Sequence, residues 1–441
     1  MPRLRAGIAR ANLTPYVGAF LAGFASRDRP SEGIHDELFA RALVLEAGQR
    51  TVALVTCDLV GLGTDSVGRI REHVEEATAI APDAVMVACT HTHSGPTTGI
   101  LRHPGFDPHL LAVTERKIAG AVAEAHRSMA EAALGWGTGQ VPIGVNRRER
   151  GDDGAMRLGR NDAGPVDHEL GVLRVDGAEG RPMALVAVYA CHPVVLGGGN
   201  YLVSADFPGQ LAALVERVHP GALCGFLNGA CGNINPPRVG GSFEDARRLG
   251  MRLGAEALAA AERVECRPEV VLEARQAVAD APLDDLPPAG EARDLVEART
   301  KELDQQLARG ELSRELADAD PALGYARDVV TEYGNPRRPS SRPLELHALR
   351  LGEGLVVGMP GETFVELGAA IQAASPLPHT FVVGYANGTV GYIPTDAAFQ
   401  EGGYEVERAH QFYRGIYRFA PGTEAAVVEA GTALAAEAAQ A

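Results

Sequence analysis

The sequence predicts an α/β protein with mixed β-sheets flanked by helices, built from three hairpin-helix-strand units that would stack as one layered body. Three observations carry this prediction. Short apolar runs of strand length alternate with longer helix-like patterns along most of the chain. Three apolar hairpins each stop at a polar residue, at Cys57-Asp58, at Cys191-His192 and at Pro360-Gly361-Glu362. Each hairpin is then followed by a helix pattern and one more apolar strand that runs into a polar cluster. Recurrence in fixed order is the mark of a repeated unit, although hairpin-helix-strand units are common and identity between these copies is low.

In chain order, 7–11 reads as a short alternating strand, and a glycine-rich loop through Ala22-Gly23-Phe24-Ala25 lets backbone come close to a ligand. The first unit has strands at 40–46 and 51–56 about the turn Ala47-Gly48-Gln49-Arg50, a helix at 65–78, and the run Val85-Met86-Val87-Ala88-Cys89 into Thr90-His91-Thr92-His93-Ser94-Gly95-Pro96. A helix pattern at 109–132 and the polar segment Asn146-Arg147-Arg148-Glu149-Arg150 follow. The second unit has strands at 171–175 and 183–190, a helix at 209–218, and a strand at 223–227 that enters Asn228-Gly229-Ala230-Cys231-Gly232-Asn233-Ile234-Asn235-Pro236. The third has strands at 346–351 and 355–359, a helix at 363–374, and a strand at 380–385 leading into Ala386-Asn387-Gly388. Three such units would gather Asp58, His91, His192, Asn235, Glu362 and Asn387 along one rim, where open α/β sheets place their sites. The chain 1–441 reads as a single catalytic domain. A charged helical insertion at about 267–343, with helices at 290–309 and 312–333, reads as a lid or dimer arm, and an alanine-rich helix at 423–440 would pack across the body.

Composition narrows the function. A formal charge of -16 argues against a nucleic-acid or anionic-membrane partner, which needs a basic face. No stretch approaches the roughly eighteen apolar residues of a membrane span. The start Met1-Pro2-Arg3-Leu4-Arg5 has charge without an apolar run after it, so a cytoplasmic protein is expected. The cysteines Cys57, Cys89, Cys191, Cys224, Cys231 and Cys266 form no C-x-x-C pair and read as buried thiols. Cys231, in a Gly/Asn turn, is a candidate nucleophile as well as an inert rim thiol.

The chemistry begins with His91 and His93. Two residues apart, they leave the same face if the chain stays extended through Thr92. One imidazole could hold a metal while the other moves a proton, although a lone H-x-H also occurs by chance. His91, His192 and Glu362 together make the ligand inventory of a catalytic zinc site with a position open for water. Tyr392 either joins that set or is a structural strand tyrosine.

The strings Thr90-His91-Thr92-His93-Ser94-Gly95-Pro96, Cys191-His192-Pro193, Pro360-Gly361-Glu362 and Gly384-Tyr385-Ala386-Asn387 with Gly391-Tyr392-Ile393 resemble, in that order, the catalytic domain of the neutral (non-lysosomal) ceramidases. Gly33-Ile34-His35, Asn146-Arg147, Ser204-Ala205-Asp206 and Tyr404-Glu405 extend the resemblance over nearly the whole chain. It implies a zinc-dependent amidohydrolase that cleaves an N-acyl bond by attack of metal-bound water. His91, His192, Glu362 and Tyr392 would hold Zn2+, His93 would act as general base and then acid, and Arg147 and Tyr404 would face the scissile carbonyl or its oxyanion. Asp206 would orient a histidine behind the ligands. Where the family carries a G-D-x-S-P-N type motif with a serine, this chain has Gly232-Asn233-Ile234-Asn235-Pro236, which leaves no serine nucleophile. The family's secreted members also carry a signal and a C-terminal β-sandwich, so the expected substrate is a small or amphiphilic N-acyl compound other than membrane ceramide. Ester or lactone hydrolysis at the same zinc, and a non-catalytic metal-stabilised binding protein, are the competing readings, and the sequence leaves homo-oligomerisation open.

Overall fold

A computed structural model describes residues 1–440. An eight-stranded mixed sheet carries the first two units at its opposite edges. In the first, Phe39–Ala47 pairs antiparallel with Arg50–Cys57, which pairs parallel with Val85–Cys89 across the helix Thr64–Thr78. In the second, Glu169–Gly177 pairs antiparallel with Pro182–Tyr189, which pairs parallel with Leu223–Asn228 across the helix Asp206–Val218. The third unit forms a four-stranded sheet: Ser341–Leu351 is antiparallel to Gly354–Gly358, and this strand is parallel to His379–Val383 across the helix Val365–Ala374. All three units thus have one topology, antiparallel pair, crossover helix, parallel strand, as the sequence predicts. The middle strands are buried along almost their whole length, which is why they read as unbroken apolar runs.

The last strands of the three units converge at their C-terminal ends. Ala88 bridges Ala386, Gly229 bridges Val383, and the Cys89 and Gly384 amides donate to Tyr385 and Asn228 carbonyls at 3.1 and 3.0 Å. The Asn228 side chain ties this knot to the Thr90 carbonyl at 3.0 Å. The rim on which the site sits is therefore a junction of three strand ends, from both edges of the eight-stranded sheet and one edge of the four-stranded sheet, held by backbone hydrogen bonds.

Elsewhere the chain departs from expectation in ways that packing explains. The charged stretch at 267–343 is helical only within Ala289–Ala308, Arg314–Asp318 and Pro321–Glu332. Its flanks, Leu272–Pro282 and Ser341–Leu351, pair in register from Leu272↔Leu351 to Pro282↔Ser341, so the helices are an excursion at the tip of a long hairpin. The helix expected at 312–333 breaks at Asp320-Pro321, where the Asp320 carboxylate caps a new helix and Pro321 takes its first position. The helix expected at 109–132 ends at Arg127, and Ala130 starts the strand Ala130–Gln140. That strand is hard to read because Gly135, Gly137 and Gly139 interrupt it. A Cβ on Gly135 would meet the Glu265 carbonyl oxygen at 2.6 Å, and one on Gly137 would meet Val264 at 2.7 Å, so the glycines admit the neighbouring chain. The helix Phe243–Ala261, closed by a Ser242/Asp245 capping box, adds to the expected elements, and Thr423–Gln440 is a helix packed on the third sheet as expected.

Candidate metal centre and catalytic cavity

His91 follows the first unit's last strand, but not in extended geometry. Its φ is 67°, a left-handed conformation that costs a non-glycine residue roughly 1–2 kcal/mol and clusters at functional sites. The expected strand alternation therefore fails at His91. The reversal still delivers both imidazoles to one place, with His91 Nε2 and His93 Nε2 at 3.0 Å.

The three units meet in the ligand set. His91 Nδ1 donates to the Val60 carbonyl. His192 Nδ1 faces the Cys231 and Ile234 carbonyls at 2.8 and 3.0 Å. Carbonyl oxygens only accept, so each Nδ1 carries the hydrogen and each Nε2 presents a lone pair. Those lone pairs point at Glu362, whose Oε2 lies 2.8 Å from His192 Nε2 and 3.4 Å from His91 Nε2. Arg147 Nη1 also approaches His192 Nε2, at 3.4 Å, but three acceptors aimed at one buried point still repel one another unless a cation or a proton sits between them. Protonation is opposed: burial and the Arg147 charge push His192 down to about 4. The donor set of two imidazoles and a carboxylate therefore fits a divalent metal ion. The ligand atoms of His91, His93 and His192 also lie within 4.8 Å of one another.

Tyr392 sits beside Glu362 because Glu362–Thr363 and Tyr392–Ile393 form a two-stranded parallel pair with Glu362 opposite Tyr392. Its hydroxyl accepts from Arg147 Nη2 at 2.8 Å. Burial pushes this phenol's pKa well up, and Arg147 offsets only part of that. Arg147 is oriented in turn by Glu405, whose Oε1 accepts from Arg147 Nε at 2.9 Å while Oε2 accepts from Arg148 Nη1 at 2.8 Å. Tyr404 stands edge-on to Tyr392 at 5.8 Å between ring centres. His93, Arg147, Tyr404, His91, Glu362 and Tyr392 line one cavity of ≈ 550 Å³, whose remaining wall includes Phe24, Leu101, Leu158 and Val239. Asn235 joins them, 3.4 Å from Arg147 Nη1.

Other expected residues lie away from it. Asp58 accepts from Arg41 Nη1 at 2.7 Å and from the Phe39 amide, and Asn387 holds the Val87 amide and His347. Both act as ties within the protein. Asp206 touches no histidine: its oxygens accept from the Leu196 and Phe207 amides at 3.2 and 2.7 Å. Cys231 is buried and lies outside the cavity lining, its thiol 3.2 Å from the Tyr385 hydroxyl and pushed up to about 12 by burial, so the candidate nucleophile is not brought to the cavity.

Four contributors were not anticipated. Tyr413 donates to Glu362 Oε1, and Tyr385 donates to Oε2 at 3.4 Å while stacking on His91 at 4.0 Å. Glu405 is the third. Gly23, with φ 99°, is the fourth: a Cβ there would fall 2.4 Å from the His93 ring. The glycine-rich loop was a visible signal for Gly23, and Glu405 lay inside a quoted string without a role.

The family model described as neutral/alkaline non-lysosomal ceramidase, N-terminal, matches residues 4–247. The neutral ceramidase of Pseudomonas aeruginosa is 24% identical, across 96% of this chain and 70% of that protein. The neutral ceramidase of Drosophila melanogaster is 26% identical across 54% of this chain, and only 36% of its own length is matched. Among solved structures, the crystal structure of neutral ceramidase from Pseudomonas aeruginosa shares the fold with a TM-score of 0.72 at 21% identity, over 99% of this chain and 74% of that one. A ceramidase complexed with C2 does so with a TM-score of 0.76 at 19% identity, over 100% of this chain and 76% of that one. By the extent of the family match, this chain belongs to the neutral/alkaline non-lysosomal ceramidase family.

Proposed function

We propose that this protein is a zinc-dependent amidohydrolase that cleaves the C–N bond of a small or amphiphilic N-acyl substrate. The observation that carries the reading is the convergence of the His91 and His192 lone pairs on Glu362, with both Nδ1 hydrogens committed to backbone carbonyls. Family membership and relatives named as ceramidases support the N-acyl class. His91, His192, Glu362 and Tyr392 would hold the ion. Bound there, zinc would supply a water activated near neutral pH and a Lewis acid for the carbonyl.

His93 is assigned to proton transfer rather than to the ligand set. A ligating imidazole normally donates its other N–H to a fixed acceptor, as His91 and His192 do, whereas His93 Nδ1 has no partner among the described residues. Burial, with His91 and His192 nearby, pushes its pKa well down, so it stands neutral and able to take a proton from the attacking water. That proton is then available to the leaving amine. Arg147 and Tyr404 present donors on the same wall, where they would stabilise the oxyanion that forms as the carbonyl is attacked. Holding a metal requires none of these three, which favours turnover over a metal-stabilised binding protein.

The test is a metal analysis of the purified chain together with a panel of N-acyl amides, matched esters and lactones. One zinc per chain and turnover of amides in preference to the others is the expected result. Turnover confined to esters or lactones would reassign the reaction, and no turnover with zinc present would favour the binding protein.

A further inference from the structure

A second cavity, of ≈ 710 Å³, lies behind one wall of the first. Its volume is in the range of small-molecule sites, about 300–1,000 Å³. Tyr413 lines both cavities, and the Leu101↔Tyr413 bridge forms part of the partition. Its lining includes the apolar side chains of Ile100, Phe106, Leu111 and Leu283. It also carries Arg69, which Glu115 holds, and Arg342 and Arg414.

These two arginines, Arg342 half-buried and Arg414 exposed at the cavity's edge, lack the partners that the buried arginines elsewhere have. Arg41, Arg147 and Arg148 each meet a carboxylate, and Arg27 donates to four backbone carbonyls. Among the described residues Arg342 has no hydrogen-bond or ion-pair partner, and burial lowers its pKa with no carboxylate to offset it. Arg414 meets only the face of Phe106, at 5.7 Å. Arg342 Nη1 lies 3.4 Å from where a Cβ on Gly415, next in the chain to Arg414, would be. Of the acids on the lining, Asp65 and Glu332, neither pairs with them, and Glu332 is engaged by Tyr417 and Asn335. Thr389, 7% exposed, lines the same cavity, and its hydroxyl has no partner. In a chain of net charge -16, a half-buried cation without a carboxylate, a second cation at the edge and a buried unpaired hydroxyl on one lining suit an anion.

We infer that this cavity binds an amphiphilic carboxylate of the fatty-acid type, its headgroup at Arg342 and Arg414 and its chain along Ile100, Phe106, Leu111 and Leu283. Planar guanidinium groups suit a carboxylate, and the apolar side chains suit an alkyl tail. The inference stands on this cavity alone and does not require the reaction proposed above.

Calorimetric titration of the full chain with dodecanoate, dodecanol and inorganic phosphate tests it, repeated on Arg342→Gln, Arg342→Lys, Arg414→Gln and Tyr404→Phe. Dodecanoate should bind saturably, Arg342→Gln and Arg414→Gln should each weaken it about tenfold or more, and Arg342→Lys should recover part of the loss. Tyr404→Phe, on the first cavity, should leave binding unchanged. Equal affinity for dodecanol would show that no headgroup is read, and equal affinity for phosphate that no tail is read; either overturns the inference. So does weakening by Tyr404→Phe as large as by the arginine variants, which would place the ligand in the first cavity. Should Arg342→Gln fail to fold, Arg414→Gln carries the comparison.

Discussion

Equivalent strand ends on this rim have opposite fates. Asp58, His192 and Glu362 all follow the hairpins of their units, and His91 and Asn387 both follow last strands. Asp58 and Asn387 spend their hydrogen-bonding capacity on the protein itself, on Arg41 and Phe39 in one case and on Val87 and His347 in the other. His91 and His192 spend their hydrogens on carbonyls and keep a lone pair each, aimed at Glu362. What separates a proposed ligand from a tie is the valence left over after the backbone has been served, not burial, since all five are nearly inaccessible.

The contrast is broken most severely on the ligand side. Glu362→Ala should remove the cation and, because a catalytic metal supplies several kcal/mol, lower kcat/KM by roughly 10⁴-fold or more. Metal content and turnover measured on the same sample check it; full zinc occupancy would remove Glu362 from the ligand set. His93→Gln comes next, with a loss of about 10²–10⁴-fold at unchanged zinc content. Metal lost along with activity would instead make His93 a third imidazole ligand. On the tie side, Asp58→Ala leaves Arg41 buried against a distant Glu216 at 3.8 Å. It should cost about 3–5 kcal/mol in denaturant unfolding while kcat of the folded fraction stays within about threefold. A large fall in kcat at full folding would mean that Asp58 is part of the chemistry.

Much of this was legible in the sequence because the hairpins announce themselves: apolar runs that stop abruptly at Asp58, His192 and Glu362 mark buried polar residues at one rim, without saying which are ties. The three-unit topology and the meeting of His91, His93, His192, Glu362, Tyr392, Arg147 and Tyr404 follow from that pattern together with the family strings. Tyr385 and Tyr413 were not legible as partners of Glu362. Tyr385 takes a left-handed φ of 55°, and Tyr413 follows short helical turns whose sequence has no period to read. Nor could alternation foresee the left-handed His91, since a β-like string and a strained turn share the same letters. Asp206 misled because a quoted string fixes a position and not the direction of a side chain.

The smallest effect sharpens the tie side. His347, fully buried, uses both ring nitrogens in its neutral form: Nε2–H donates to the Asp83 carbonyl at 2.9 Å, and Nδ1 accepts from Asn387 Nδ2 at 2.8 Å. Burial first, and the Arg71 charge second, push its pKa from 6.5 to about 3. The folded pKa is depressed, so as pH falls below 6.5 the unfolded chain takes up a proton that the native state refuses, and stability is lost down to about 3. Asp206 runs the other way: burial raises it from 3.8 to about 7, so its contribution declines as pH rises through that window. At about 1.36 kcal/mol per unit, His347 contributes at most ~3 kcal/mol of the fall between neutrality and pH about 4. Comparing metal-free His347→Gln with the parent in guanidinium at pH about 7 and about 4.5 should show a flatter pH slope in the variant. An equal slope would mean that the parent admits the proton at His347 without breaking the Asn387 contact, and the line drawn here between saturated ties and open ligands would have to be redrawn there.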